Sequence, residues 1–158
     1  MKQIKYNFYF KIILFFFLLI KPSLSEILKP SIEIEPKQVI KIQLTALMEN
    51  DNPYKDIGIE QTWEFAHPNN RKMTGPLERF KNMIKTDSYS MLLDHSNHEI
   101  SEVYMSNKVA TFEVTVMDRE KKYYKFKWKV EKYNGEGVLK DCWLTSAVSE
   151  PMQIGSSI

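Results

Sequence analysis

The sequence has a single cysteine, few glycines and almost no excess of charge. Cys142 is alone among 158 residues, which excludes an internal disulfide and any metal site built from several cysteines. The five glycines form no phosphate-binding loop. Residues 1–25 hold four lysines and no acid, so 18 basic and 20 acidic residues remain in the other 133. A mildly acidic domain is a poor binder of phosphate backbones, so nucleic acid is excluded as a leading partner.

Residues 1–25 have the layout of an export signal. Lysines precede an apolar run from Ile12 to Ile20, and nine residues are too few for a helix to span a membrane, which takes about 20. Pro22 ends the run, and small side chains at Ser23 and Ser25 predict cleavage before Glu26 and a periplasmic or secreted protein. The alternative is an uncleaved segment that tethers the same domain to the membrane. No other membrane contact is predicted.

The remaining 133 residues fit one domain. A proline-bounded linker is expected over residues 26–35, a folded domain over 36–149, and a frayed tail over 150–158, where the sequence is polar and contains Gly and Ser.

Helices are predicted in the first half of this domain. Val39, Ile40, Leu44 and Leu47 form an apolar stripe in residues 36–51, and Pro36 occupies the first helical position. The same spacing predicts helices over residues 57–66 and 76–85. His67 is interpreted as a helix-end residue.

Strands are predicted in the second half, where the apolar period changes to two. Residues 109–118 and 123–131 alternate between apolar and polar side chains. Further strands are predicted over 100–105 and 138–148, and a shorter one over 89–93. The pattern predicts an α+β domain, with about three N-terminal helices on one face of an antiparallel sheet of four to five meandering strands.

Four stretches carry a family resemblance that spans about residues 36–149. They are Val39-x-x-x-Gln43-Leu44-x-Ala46-Leu47-x-x-Asn50-Asp51, Trp63-x-Phe65-Ala66-x-Pro68-x-Asn70, Gly75-Pro76-x-x-x-Phe80-x-x-Met83 and Asp141-Cys142-Trp143-Leu144. In this order they resemble an uncharacterised domain-of-unknown-function family within the nuclear transport factor 2-like superfamily. The resemblance implies a cone-like domain with a curved sheet and a pocket beneath the helices. The superfamily includes binding proteins, isomerases and dehydratases, so the fold leaves the function open.

The leading hypothesis is a non-catalytic module that binds an apolar small molecule or a protein partner without a cofactor. Its predicted ligand-binding residues are apolar side chains expected to line the cone, namely Trp63, Phe65, Phe112, Trp128 and Trp143.

Two alternatives stay open. One is a small isomerase or hydrolase-type enzyme in which Asp141 acts as a base beside Tyr124 or Tyr104, or in which the Asp94 to Glu99 cluster acts. The other is a domain that acts through its surface, for instance as a homodimer built on the open sheet.

Several other chemically active side chains are interpreted as structural. Asp94, His95, His98 and Glu99 could ligate a metal, but they lie among turn-forming residues and are expected to form a solvated connection, so no metal site is predicted. Cys142 is expected to be buried and inert. The lysines at 125, 127 and 129 alternate with aromatic residues and therefore face away from them, which argues against a base-stacking surface.

Overall fold

A computed structural model describes residues 26–156, so the predicted export signal lies outside the described residues. The helices are α1 (Pro36–Met48), α2 (Ile57–Glu64), α3 (Pro68–Thr74) and α4 (Leu77–Ile84), followed by a 3-10 turn at Ser90–Leu92. The strands are β1 (Asn97–Met105), β2 (Val109–Met117), β3 (Lys122–Lys132), β4 (Trp143–Val148) and β5 (Met152–Ser156). No helix within residues 26–156 has the length and apolar character needed to cross a bilayer.

The strands form one curved, unclosed antiparallel sheet. Its order is β1-β2-β3-β4, and β5 pairs with the first half of β3 while β4 pairs with the second half. Phe112 on β2 lies opposite Trp128 on β3, and Val114 lies opposite Phe126. The large side chains of both central strands therefore share one face of the sheet.

The helices pack on this apolar face and bury the core. Val39, Ile40, Leu44 and Leu47 of α1 are fully buried, as are the inward residues of β2 and β3. Each such side chain contributes about 1.5–3 kcal/mol on leaving water. The predicted α+β architecture is confirmed.

Helices α1 and α2 approach each other unusually closely because residue 58 is glycine. A Cβ atom at Gly58 would lie 2.1 Å from the carbonyl oxygen of Ala46. The Asn50 side chain also accepts a hydrogen bond from the N–H of Ile59 at 3.1 Å, which holds the first turn of α2 against the end of α1. These contacts fix the angle at which both helices cover the sheet.

Two predicted strands are corrected by the structure. Residues 89–93 form a 3-10 turn instead, in which the N–H of Leu92 donates to the carbonyl of Tyr89, because the apolar run is too short to favour a strand over a local turn. The last predicted strand begins at Trp143 and not at residue 138, since Gly137 and Asp141 adopt positive φ angles of 98° and 63° that interrupt an extended chain.

Two further elements were missed. Helix α3 lies where only a helix end was expected; His67 is its N-cap and Pro68 its first residue. The tail expected to fray instead contributes β5, which pairs Met152 with Lys125 and Ser156 with Lys122. Neither α3 nor β5 buries a side chain fully, so neither carries the apolar pattern on which a sequence prediction depends.

Candidate functional site

A small pocket lies between the helices and the sheet. Its volume is about 100 Å³. Its walls are mainly apolar side chains from α1, α4, the 3-10 turn and β3, namely Leu47, Phe80, Met83, Ile84, Leu92 and Trp128. Half-buried residues from four different elements form its mouth, among them Asn70, Tyr89 and Val148.

A chain of buried hydrogen bonds runs along one side of this pocket. The Trp128 indole Nε1–H donates to Thr145 Oγ1 at 3.1 Å, and the Thr145 hydroxyl donates to Gln43 Oε1 at 2.6 Å. The Gln43 amide then donates to the carbonyl of Thr62 at 2.9 Å. This chain links β3, β4, α1 and α2, and it fixes the rotamers of the three side chains.

The polar groups of this chain are satisfied although they are buried. Gln43 and Trp128 are each 1% exposed and Thr145 is 3% exposed. Among the described residues, no buried side-chain nitrogen or oxygen lacks a hydrogen-bond partner. The pocket is therefore preformed, because the hydrogen bonds that hold its shape are made within the protein and require no ligand.

The pocket walls carry almost no ionisable group. Among the described residues, the lining includes no carboxylate, imidazole, amine or thiol, and Tyr89 is its one titratable side chain. Burial and the nearby Glu150 carboxylate raise the pKa of Tyr89 above its ordinary value, so its hydroxyl stays neutral. The arrangement can bind a neutral apolar group, but it offers no base of ordinary strength for proton transfer.

Of the five predicted ligand-binding residues, only Trp128 lines the pocket. Phe65 and Phe112 are fully buried in the core. Trp63 stacks at a tilt on Phe80, with ring centroids 5.0 Å apart, and Trp143 lies 5.2 Å from the Lys132 ammonium.

The residues of the enzyme hypothesis do not come together. Asp141 is exposed and lies in the turn before β4, where its N–H donates to the carbonyl of Tyr133. Tyr124 lies nine positions before Tyr133, near the other end of β3, a separation of about 30 Å along an extended strand. Tyr104 is 55% exposed and lies opposite Thr111 on the outer face of the sheet.

The two histidines of the Asp94 to Glu99 cluster are hydrogen-bonded to each other, with His95 buried and His98 half-buried, which corrects the prediction of a solvated connection. His95 is 2% exposed; its Nδ1–H donates to the carbonyl of Leu92 at 2.7 Å, so its Nε2 accepts from the Nδ1–H of His98 at 2.8 Å. Burial is the main cause that lowers the pKa of both histidines below the ordinary value of 6.5. His98 belongs to β1 and not to a loop.

The carboxylates of this cluster do not join the pair. Asp94 forms an ion pair with Arg119 at 3.1 Å, and Glu99 is exposed on β1. In residues 26–156 no three His, Cys, Asp or Glu side chains are placed to hold one metal ion.

The remaining predicted residues lie outside the pocket. Cys142 is 1% exposed, as predicted, and burial raises the pKa of its thiol. Two of the outer-face lysines pair with carboxylates, Lys125 with Glu113 at 2.8 Å and Lys129 with Glu131 at 2.6 Å. His67 is buried as the N-cap of α3, and its Nδ1 accepts from the N–H of Asn69.

Gln43 and Thr145, whose hydrogen bonds hold the pocket together, were not predicted from the sequence as site residues. One signal was present. Gln43 lies within the apolar stripe of α1, next to Leu44, and a polar residue at such a position must find a buried partner. Nothing in the sequence identified Thr145, 102 residues further on, as that partner.

The family model described as Domain of unknown function (DUF4864) matches residues 31–149. Comparisons with curated proteins and with solved structures gave no significant match.

Proposed function

This chain belongs to the Domain of unknown function (DUF4864) family, and we propose that it is a non-catalytic module that binds a small neutral apolar group in the pocket beneath its helices. The group belongs either to a free small molecule or to a protein partner. The observation that carries the proposal is a preformed, mainly apolar pocket whose fully buried polar side-chain atoms are already hydrogen-bonded and whose lining has no charged side chain among the described residues.

The volume sets the size of the group. A dry apolar cavity of about 150 Å³ takes up benzene, whereas drug-sized ligands occupy about 300–1,000 Å³. A pocket of about 100 Å³ suits one small ring or a short branched chain. A charged ligand would lose its hydration without gaining a counter-charge, so the proposed ligand is neutral.

The enzyme alternative has no comparable support. Its proposed base, Asp141, is exposed and does not line the pocket. The His95–His98 pair does not line it either, so no acid–base pair faces a bound molecule.

Export and superfamily membership are parts of the same proposal. The lysines, the nine-residue apolar run and the small residues before Glu26 support a precursor that is cleaved there and acts in the periplasm or outside the cell. Helices that precede a curved sheet, with a pocket between them, support a place in the nuclear transport factor 2-like superfamily. The mature protein should begin at Glu26 when its N-terminus is sequenced; a start at Met1 would contradict cleavage.

The binding proposal is tested with benzene and toluene as neutral probes and benzoate as a charged control. We expect the neutral probes, but not benzoate, to shift the indole N–H signal of Trp128 in a ¹H–¹⁵N NMR spectrum and to raise the melting temperature. At a concentration 100 times the Kd, the stabilisation would be about 2.7 kcal/mol.

A matched pair of variants locates the binding. Val148→Phe places a larger side chain at the mouth of the pocket and should abolish the Trp128 shift. Val138→Phe, at a position 95% exposed, should leave it unchanged. If no neutral probe moves the Trp128 signal, or if Val148→Phe responds as the unmodified protein does, the proposal is wrong.

A further inference from the structure

A wide groove lies on the side of α1 that faces away from the pocket. Its volume is about 960 Å³, and it runs between α1, α2 and residues 26–30, a segment outside any helix or strand that is called here the N-terminal strap. Its floor is apolar and includes Ile34, Ile42, Ala46 and Ile57.

The strap is held in place by two side chains of α2, Gln61 and Glu64. The Leu28 N–H donates to Gln61 Oε1 at 2.7 Å, and Gln61 Nε2–H donates back to the Leu28 carbonyl at 2.9 Å. Lys29 adds an ion pair with Glu64 at 3.2 Å. The backbone groups of Ile27 and Lys29 make no hydrogen bond within the described part of the chain, so an added extended segment finds donors and acceptors there.

The lining of the groove is negatively charged. Glu26, Glu33 and Glu49 contribute three carboxylates, none of which has an ion-pair partner within residues 26–156. Lys29 is neutralised by Glu64. The opposing charges among the described lining residues are Lys41 and, once the chain is cleaved before Glu26, the α-amino group of Glu26, and the three carboxylates still outnumber them. The groove therefore favours a cationic occupant.

We propose that this groove binds a short extended segment of a partner protein, apolar on one face and carrying lysine or arginine on the other. The segment pairs with the strap through backbone hydrogen bonds, as in β-strand addition. Its apolar side chains cover the floor, and its cationic side chains lie opposite Glu33 and Glu49. An open groove of this size holds several residues, whereas the pocket holds only one small group.

This proposal does not depend on the function proposed for the pocket. The groove contacts Lys41, Ile42 and Thr45 on one side of α1, and the pocket contacts Gln43 and Leu47 on the other. Failure of one binding activity leaves the other intact.

The test uses two fluorescein-labelled nine-residue peptides, one alternating valine with lysine and the other valine with glutamate. Fluorescence anisotropy measures the Kd of each for the full chain. We expect the lysine peptide to bind at least tenfold more tightly at 50 mM salt, and the difference to shrink at 0.5 M salt because screening weakens exposed charge pairs. Equal affinities for the two peptides, or no binding of either, would overturn the proposal.

Charge reversal sharpens the test. The double variant Glu33→Lys, Glu49→Lys should reverse the preference and bind the glutamate peptide more tightly. The matched control Glu136→Lys changes a side chain that is 89% exposed and does not line the groove, and it should keep the original preference. Gln61→Ala releases the strap and should weaken both peptides. A preference that survives the double charge reversal contradicts the proposed site.

The chain's own N-terminal residues are the competing occupant. If the full chain does not bind the lysine peptide, but a full chain with residues 12–20 replaced by glycine and serine does, then the groove belongs to that segment and the proposal of a partner is wrong.

Discussion

Replacing Thr145 with valine tests the hydrogen-bond chain that holds the pocket. Valine has nearly the same shape as threonine, so the substitution removes the hydroxyl without opening a cavity. It leaves the Trp128 indole N–H without its acceptor and Gln43 Oε1 without its donor, in a region where both side chains are 1% exposed.

The expected cost follows from these two orphaned groups. A buried donor or acceptor left unpaired costs about 1–3 kcal/mol, so two cost about 2–6 kcal/mol. The added methyl group returns about 0.8 kcal/mol of transfer free energy. The free energy of unfolding should therefore fall by about 1–4 kcal/mol, once some relaxation of the side chains is allowed.

Urea denaturation followed by far-UV circular dichroism measures this change. Thr145→Ser keeps the hydroxyl and should lose only about 1 kcal/mol. Thr111→Val makes the same chemical change on the outer face of β2, where no side-chain hydrogen bond is lost, and should stay within about 0.5 kcal/mol of the unmodified protein. If Thr145→Val costs no more than Thr111→Val, the hydrogen-bond chain does not stabilise the fold and the reasoning is wrong.

Three further predictions concern residues that take no part in the hydrogen-bond chain of Trp128, Thr145 and Gln43. The free energy of unfolding should decline as the pH falls below about 6.5, by up to about 1.4 kcal/mol per pH unit for each histidine, because burial lowers the pKa of His95 and His98 and the unfolded chain therefore binds protons first. In urea titrations between pH 7.5 and 5.5, His98→Gln should reduce this dependence on pH. An unchanged dependence would contradict the prediction. Gly58→Ala should destabilise the protein by at least about 2 kcal/mol in the same assay, because its methyl group would clash with the Ala46 carbonyl oxygen. An unchanged free energy of unfolding would mean that α1 and α2 can move apart without cost. Cys142 should react with a thiol reagent at least tenfold more slowly in the native protein than in urea, since it is buried, and equal rates would disprove its burial.

Periodicity predicted the parts of the fold in which one face is buried. Helix α1 and strands β2 and β3 alternate buried and exposed residues at the expected period, and their observed bounds lie within three residues of the predicted ones. Helix α3 has no buried residue, so it has no stripe to recognise. The main sequence feature that marks the start of α3 is the pair His67-Pro68. The same pair is equally consistent with the end of the preceding helix.

The candidate site was harder to predict because it depends on contacts between distant residues. Aromatic residues were correctly expected on the inward face of the sheet, but the Phe112 side chain lies in the core and the Trp128 side chain lines the pocket. The difference lies in which helix residues cover each one. His95 looked solvated for a similar reason: its neighbours are turn formers, and its burial comes from partners elsewhere in the fold.

The short segment Phe65–His67 has a consequence for assembly of the sheet. It lies along the outer edge of β4, where Thr145 donates its N–H to the carbonyl of Phe65 and accepts from the N–H of His67, each at 2.8 Å. An edge strand with unpaired backbone groups is a template on which another chain can add, and this one is already occupied at Thr145. A further strand therefore cannot pair with β4 at Thr145 unless the Phe65–His67 segment first moves away.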